Sequence, residues 1–461
     1  MRFKSINPAT GKELREYETI SENEALQFAE RSYMAFNSWK LLSIKERSDY
    51  ILRLAAILKK NSAKYSRTIT EEMGKPIRES RAEIEKSAWT AELYGQKAEE
   101  WLSPEAVQTE SKESIVAFEP IGPVLAVMPW NFPFWQALRF AIPTLLAGNT
   151  TILRHSNVVP ESALQIEEAF SEAGFPKGVF KTIITDHNTV KALIESKNTA
   201  GLSVTGSTGV GASLAGIAAS NLKKSVLELG GSDPFIVLED ADISFTVENA
   251  IKSRIRNAGQ SCIAAKRFIV SENIYDEFAG KLAERMKTIK IGDPLSEDTD
   301  LGPVVNESQL KLISEQVSDA ESKGASILSG GKRAEREGFF YLPTVVKGAS
   351  FGMRVFDEEV FGPVAAIAPF KDESEAIKMA NSTEFGLGGS IWTKDGERGK
   401  CLAKKIEAGT VSINGVVTSD PRMPFGGIKR SGLGRELSRY GLLEFVNIKS
   451  INLFVHGSSV K

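Results

Sequence analysis

The feature that most constrains the fold is a strand-like run that empties through glycines into a helix. Leu202-Ser203-Val204-Thr205 is followed by Gly206-Ser207-Thr208-Gly209-Val210-Gly211, and then by the small-residue stretch Ala212 to Ala219. Strand, glycine turn and helix N-terminus in this order present backbone N–H groups and a helix dipole to an anion such as a phosphate. By itself such a turn is as often a plain tight connection. Apolar strands alternate with helices on both sides of it, from Thr150-Thr151-Ile152-Leu153 to past residue 230. That alternation predicts βαβ units, a parallel sheet and an α/β fold.

Before this region, residues 21 to 101 read as amphipathic helices. Ser21-Glu22-Asn23-Glu24 has the form of a capping box, and apolar positions recur periodically through Ala25, Phe28 and Ala29 and again through Tyr50, Leu52, Leu54, Ala55 and Leu58. From Ser114 to Val127 the pattern turns strand-like, interrupted by Pro120-Ile121-Gly122-Pro123, and predicts an extended ribbon. A buried helix is expected after Asn131, ending near Gly148. The last apolar segment, Phe445 to Val455, predicts a strand whose exposed positions want a partner, such as another subunit.

Composition removes several functions. Lys plus Arg number 57 against 59 Asp plus Glu, a net charge of −2, which leaves no basic surplus to track a nucleic acid. No stretch approaches the roughly 18 uncharged apolar residues that a membrane span needs. The N-terminal Met1-Arg2-Phe3-Lys4-Ser5 lacks the apolar core of a secretory signal, and two cysteines make no disulfide framework, so a reducing cytoplasm is expected. His155, His187 and His456 are scattered, with no metal-ligand spacing, so no metal is expected and a serine–histidine hydrolase is improbable.

Three side chains then stand out. A free cysteine is most often a buried small hydrophobe, a reading that suits Cys401 in its helical run. Cys262 differs: Gly259-Gln260-Ser261 precede it and Arg256, Lys266 and Arg267 flank it, a polar, cationic setting for a low-pKa nucleophilic thiol. Asn131, in Pro129-Trp130-Asn131-Phe132-Pro133, is either a turn former or a rigid amide donor for a developing oxyanion. Glu228, between Leu227 and Leu229 and ahead of Gly230-Gly231, is either a buried salt-bridge partner or a general base whose pKa apolar neighbours raise.

Pro-Trp-Asn-Phe-Pro, Gly-Ser-Thr-x-x-Gly, Glu-Leu-Gly-Gly and Gly-Gln-x-Cys, in this order, resemble the signature set of the aldehyde dehydrogenase superfamily. Glu358-Glu359-Val360-Phe361-Gly362-Pro363, Asn381 to Gly386 and Pro424-Phe425-Gly426-Gly427-Ile428-Lys429-x-Ser431-Gly432 extend the match from about residue 6 to residue 450. The resemblance implies a Rossmann-like NAD(P)-binding domain at 1–101 and 121–230, an α/β catalytic domain at 231–445, and a small β-ribbon at 102–120 and 446–461 that pairs subunits into a homodimer or homotetramer. It also implies that Cys262 attacks the aldehyde, that Asn131 and the Cys262 N–H hold the oxyanion, and that Glu228 activates the water that hydrolyses the thioester. Gly206, Ser207 and Gly211 are implied to meet the cofactor pyrophosphate. Trp130 and Leu229 line the pocket, Glu359 holds the nicotinamide ribose and Phe361 packs beside the ring.

Two details bear on specificity. Where the family commonly has Lys-Pro-Ser/Ala-Glu, this chain has Arg154-His155-Ser156-Asn157. The glutamate that would repel a 2′-phosphate is absent, Arg154 would attract one and His155 could add positive charge, so NADP is favoured over NAD. Within the superfamily the chain is most similar to bacterial succinate-semialdehyde dehydrogenases, whose substrate carboxylate is held by two arginines and a serine. The matching positions are Arg139, Arg256 and Ser419. The alternative reading of either arginine is a structural pair-former. The alternatives for the whole chain are a dehydrogenase of another small aldehyde or a retired cofactor-binding protein. Ala264 replaces the second cysteine that some relatives use for redox switching.

Overall fold

The computed structural model describes residues 2–455. Two sheets carry the molecule. One has six strands in the order Gly432–Leu433, Lys224–Glu228, Gly201–Thr205, Pro123–Met128, Thr150–His155 and Phe180–Ile183; all pair in parallel except the short edge at 432–433. The other has seven, in the order Ser326–Ser329, Thr344–Lys347, Val364–Phe370, Ala265–Ser271, Asp233–Val237, Gly388–Trp392 and Thr410–Ile413; only its first pairing is antiparallel. Their central strands, such as Pro123–Met128 and Ala265–Ser271, are buried at every position. Burial on both faces is what a parallel sheet covered by helices requires; Pro123–Met128 meets it with an unbroken apolar run, whereas Ala265–Ser271 also buries Lys266 and Arg267.

The helical N-terminal region forms as its periodicity predicts, as Glu22–Trp39, Ile44–Lys60, Ser62–Met73 and Ile77–Leu102. Ser21 starts the first: its Oγ accepts from the Glu24 N–H, and the Glu24 carboxylate accepts from the Ser21 N–H at 2.8 Å. The helices Ile44–Lys60, Ser62–Met73 and Ile77–Leu102 and the wholly buried helix Pro133–Leu146 pack on one face of the six-stranded sheet, whereas Ala25 and Ala29 of Glu22–Trp39 pack on the other, with Leu125, Val127 and Ile152.

The expected single ribbon at 114–127 is two strands in two sheets. Glu113–Pro120 pairs with Val446–Leu453 and Glu105–Ala106, whereas Pro123–Met128 enters the parallel core. The division falls at Ile121-Gly122, whose two N–H groups donate to Asn149 Oδ1 at 2.8 and 3.0 Å, so the turn satisfies itself without either ladder. The C-terminal strand exposes Ile448, Ile451 and Leu453; residues 456–461 of the expected ribbon, and His456, lie outside the described residues. The antiparallel edge Gly432–Leu433 returns the chain from the 231–445 stretch to the first sheet, beside Glu228.

Cys401 is exposed rather than buried. Its helix, Gly396–Ala403, buries Gly399 and Leu402, and the residue before Leu402 points about 100° away from that face.

Candidate active site

The loop before Cys262 is held in a conformation the chain does not favour. Asn257, Ala258 and Gly259 have φ of 52°, 52° and 73°, three left-handed residues in a row. Buried hydrogen bonds hold the strain in place. Asn257 donates its N–H to Glu79 at 2.8 Å and its Nδ2 to the Asn131 carbonyl at 2.8 Å; Gln260 Nε2 donates to the Asn257 carbonyl at 3.0 Å, and Gln260 Oε1 accepts from the Val305 N–H at 2.8 Å. A Cβ on Gly259 would lie 2.1 Å from the Gly362 carbonyl oxygen, so this position admits only glycine.

The same network fixes Asn131. Its Nδ2 donates to the Gln260 carbonyl at 3.0 Å and its Oδ1 accepts from Gln136 Nε2 at 3.0 Å. With the amide plane set, the second N–H of Nδ2 stands ready as a rigid donor.

The cationic flank of Cys262 is not what the sequence predicts. Arg267 turns away and donates to the carbonyls of Ser232, Met379 and Ala380 at 2.7 to 3.0 Å. Arg256 is exposed. Lys266 points inward, donating to the carbonyls of Ser261, Cys262 and Ala264 at 3.0, 2.7 and 3.2 Å, with Glu359 3.6 Å from its Nζ. Burial pushes the Cys262 thiol up to about 12 against the opposing pull of Lys266 and Arg139. The site therefore rests with a protonated thiol, not the low-pKa thiolate expected from three flanking cations.

One side of Cys262 opens on a cavity of about 300 Å³ that gathers Asn131, Glu228, Trp130, Ser207, Glu359 and Phe361, along with Gly206 and Leu229. Trp130 and Phe361 meet edge to face with centroids 5.8 Å apart. The Gly231 N–H holds Glu359 at 3.0 Å. The helix Thr208–Ser220 begins at Ser207 without a side-chain cap, leaving its first N–H groups open to a ligand. Gly211 lies against Leu229, where a Cβ would stand 2.3 Å from Leu229 Cδ2; glycine is what lets helix and strand approach this closely. An uncapped helix terminus, two aromatic rings and a ribose-sized carboxylate contact, all at the C-terminal ends of parallel strands, fit a dinucleotide.

Arg154 lies near the end of the neighbouring strand Thr150–His155, and Ser156 and Asn157 follow it. Arg154 Nη2 donates to Asn157 Oδ1 at 3.2 Å and to the Thr185 carbonyl at 3.4 Å, which orients the asparagine. His155 adds no charge. Its ring is buried, with Nε2 3.0 Å from the Pro133 carbonyl, and burial holds its pKa at about 4, so it is neutral at physiological pH.

Glu228 is 3% exposed, and neither carboxylate oxygen has a hydrogen-bond partner. Burial and then the Glu436 carboxylate raise its pKa well above the ordinary range, opposed by Arg139 and Arg435. Glu228 thus has no salt-bridge partner, and its raised pKa is of the kind a general base needs.

The other side of Cys262 is a narrow cavity bounded by Phe132, Trp135, Arg139, Arg256, Ser419 and Lys86. All three expected substrate residues reach it. Arg139 is not the free clamp arm expected, however: its Nε forms a buried ion pair with Glu436.

A nucleophile-type cysteine between a dinucleotide cavity and a small second cavity is the arrangement of a hydride-transferring enzyme acting on a carbonyl. The model of the aldehyde dehydrogenase family matches residues 1–451. The chain belongs to the aldehyde dehydrogenase family. It is 43% identical to a probable NADP-dependent succinate-semialdehyde dehydrogenase of Synechocystis over 98% of this chain and 99% of that one. It is 41% identical to a succinate-semialdehyde dehydrogenase of Mycobacterium bovis over 98% and 99%. Among solved structures, the succinic semialdehyde dehydrogenase of Streptococcus pyogenes in complex with NADP+ superposes with a TM-score of 0.96 at 36% identity, covering 98% of this chain and 100% of that one.

In this aldehyde dehydrogenase, sequence reasoning missed Glu436, Gln260 as a scaffold, and Lys86. Glu436 had a signal: Gly434-Arg435-Glu436 comes just after Ser431-Gly432-Leu433, in the segment that returns to Glu228. Lys86 had none, since it lies on a helix far from every motif. Among the described residues no group of three His, Cys, Asp or Glu could hold a metal ion, and no helix is long and apolar enough to cross a membrane.

Proposed function

We propose that this aldehyde dehydrogenase oxidises succinate semialdehyde to succinate with NADP preferred over NAD. The observation that carries the reading is that Cys262 alone of the chain's thiols lines both cavities, with Glu228 on the dinucleotide side and cations on the other.

The Cys262 thiol releases its proton to water, its thiolate sulfur adds to the aldehyde carbon, and the oxyanion forms against the Asn131 Nδ2 donor and the Cys262 N–H. The fields of Lys266 and Arg139 favour ionisation of the thiol against its burial. A nicotinamide cofactor bound in this cavity would supply a hydride acceptor for the former aldehyde carbon. Ser207 and the first turn of the helix Thr208–Ser220 would hold its pyrophosphate, Glu359 its ribose, and Trp130 and Phe361 would bound the ring. Glu228 then removes a proton from water attacking the thioester, and its raised pKa makes it a stronger base than an exposed carboxylate. Asn157, held by Arg154, brings no negative charge to a 2′-phosphate, which supports NADP.

On the substrate side, Arg256, Ser419 and Arg139 face the aldehyde's far end. The Arg139–Glu436 pair favours a second reading, in which neutral aldehydes are turned over equally well. We read the assembly as a homodimer or homotetramer formed through the strand Val446–Leu453, whose exposed Ile448 and Ile451 suit a subunit contact, and its location as the cytoplasm.

Reduced-cofactor absorbance with succinate semialdehyde, glutarate semialdehyde and propanal, each with NADP and NAD, tests the proposal. A kcat/KM at least about tenfold higher for succinate semialdehyde, about 1.4 kcal/mol of transition-state preference, supports it. Equal values with propanal reduce the activity to that of a general aldehyde dehydrogenase.

A further inference from the structure

We infer that Lys86 is a specificity residue of the aldehyde cavity, its ammonium receiving the far carboxylate of an acidic aldehyde beside Arg256 and Ser419. The inference rests on the reading that the substrate carries a carboxylate.

Lys86 projects from the helix Ile77–Leu102 into the narrow cavity that ends at Cys262. Its Nζ donates to Ser419 Oγ at 2.7 Å and lies 4.0 Å from the centroid of the Trp135 ring. An ammonium has three donors, so two remain after Ser419 is bonded.

The surrounding charges are already spent. Arg139, from the helix Pro133–Leu146, is paired with Glu436. Glu83, one turn earlier on the helix of Lys86, is bonded to Lys75 and accepts the N–H groups of Phe134 and Trp135 at 2.8 and 3.0 Å. Asp420, next to Ser419, is held by Arg422 at 2.9 and 2.6 Å. Lys86 and Arg256 are left facing one small cavity, neither in a direct ion pair; the Glu79 carboxylate lies in the field of Arg256 and accepts the Asn257 N–H at 2.8 Å. Two such cations repel each other; with burial as the first cause and Arg256 as the second, the Lys86 pKa is lowered to about 7. A carboxylate entering the cavity relieves that repulsion and takes the two open donors, and a neutral aldehyde does neither.

The test compares wild type, Lys86→Met and Lys86→Arg with succinate semialdehyde and with propanal. Lys86→Met is expected to lower kcat/KM for succinate semialdehyde at least about tenfold more than for propanal, mainly through KM, which is the range for one hydrogen bond to a charged group. Lys86→Arg is expected to recover part of the loss. In wild type, the ratio of the two kcat/KM values should fall as pH rises from about 6 to about 9, because Lys86 loses its proton while Cys262 titrates identically for both substrates and cancels. In Lys86→Met the ratio should be flat. Equal losses for both substrates, or an unchanged ratio in Lys86→Met, would overturn the role of Lys86 while leaving a wild-type preference for the acidic aldehyde intact. A wild type that shows no such preference would overturn the carboxylate reading and this inference with it.

Discussion

Arg139 and Glu436 form an ion pair with both side chains almost wholly out of solvent, 3% and 6% exposed, and Glu228 lies in the field of both. The pair neutralises the arginine closest to the chemistry and leaves Glu228 without a counter-ion. An arginine expected at the substrate's far end is thereby also part of the field that acts on Glu228.

Glu436→Gln should break this arrangement in a measurable direction. Repulsion from Glu436 disappears and Arg139 is left uncompensated, so the Glu228 pKa falls. The acid limb of kcat, measured where thioester hydrolysis limits turnover, moves to lower pH. Removing one partner of a buried pair also costs about 3–5 kcal/mol of stability, read from denaturant midpoints. An unmoved acid limb would show that Glu228 does not sense the pair.

Glu228 itself links stability to pH. Its folded pKa is raised, so the stability it contributes is fully present below the unfolded value near 4.5 and is lost as pH rises through the folded value. Glu228→Gln removes that loss. The unfolding free energy of the variant relative to wild type should grow between about pH 5 and about pH 8, measured by urea melts; a constant difference contradicts a raised pKa.

In the cofactor-free chain, the Cys262 thiol pushed to about 12 should react slowly with iodoacetamide at neutral pH. Its alkylation rate should climb about tenfold per pH unit from pH 7 to 9, following the thiolate fraction. Peptide mass spectrometry separates Cys262 from the exposed Cys401. A plateau near pH 7 would instead mark a thiolate already formed.

Asn157→Glu would restore a carboxylate where a 2′-phosphate is expected. Its KM for NADP should rise about tenfold or more, with a smaller change for NAD, as expected for like charges at close range. Steady-state kinetics with both cofactors decides this, and equal effects would place Asn157 outside the ribose subsite.

Gly259→Ala should abolish activity with little loss of secondary structure. The added Cβ meets the Gly362 carbonyl at 2.1 Å in a residue with φ of 73°, so the loop that delivers Cys262 and the Gln260 carbonyl must shift. Circular dichroism alongside turnover checks it; near-normal turnover would mean that the loop tolerates displacement.

The α/β class, the strand–glycine–helix turn at 202–219 and the residues Cys262, Asn131 and Glu228 were all legible in the sequence. Backbone geometry and apolar burial are enforced locally, by glycines, prolines and periodicity, and so leave a local pattern. Charge is different, because its effect depends on what lies a few ångströms away in space. Arg267, five residues from Cys262, turns to the carbonyls of Ser232, Met379 and Ala380, whereas Lys86 arrives from a helix more than a hundred residues distant. Arg139 is claimed by Glu436, and His155 is stripped of charge by burial against Pro133. The residue types needed for aldehyde oxidation are therefore set by the sequence. Which of the charged ones remain free to act is decided only by the packing of the two sheets, since Coulombic and desolvation energies follow distance and burial rather than sequence separation.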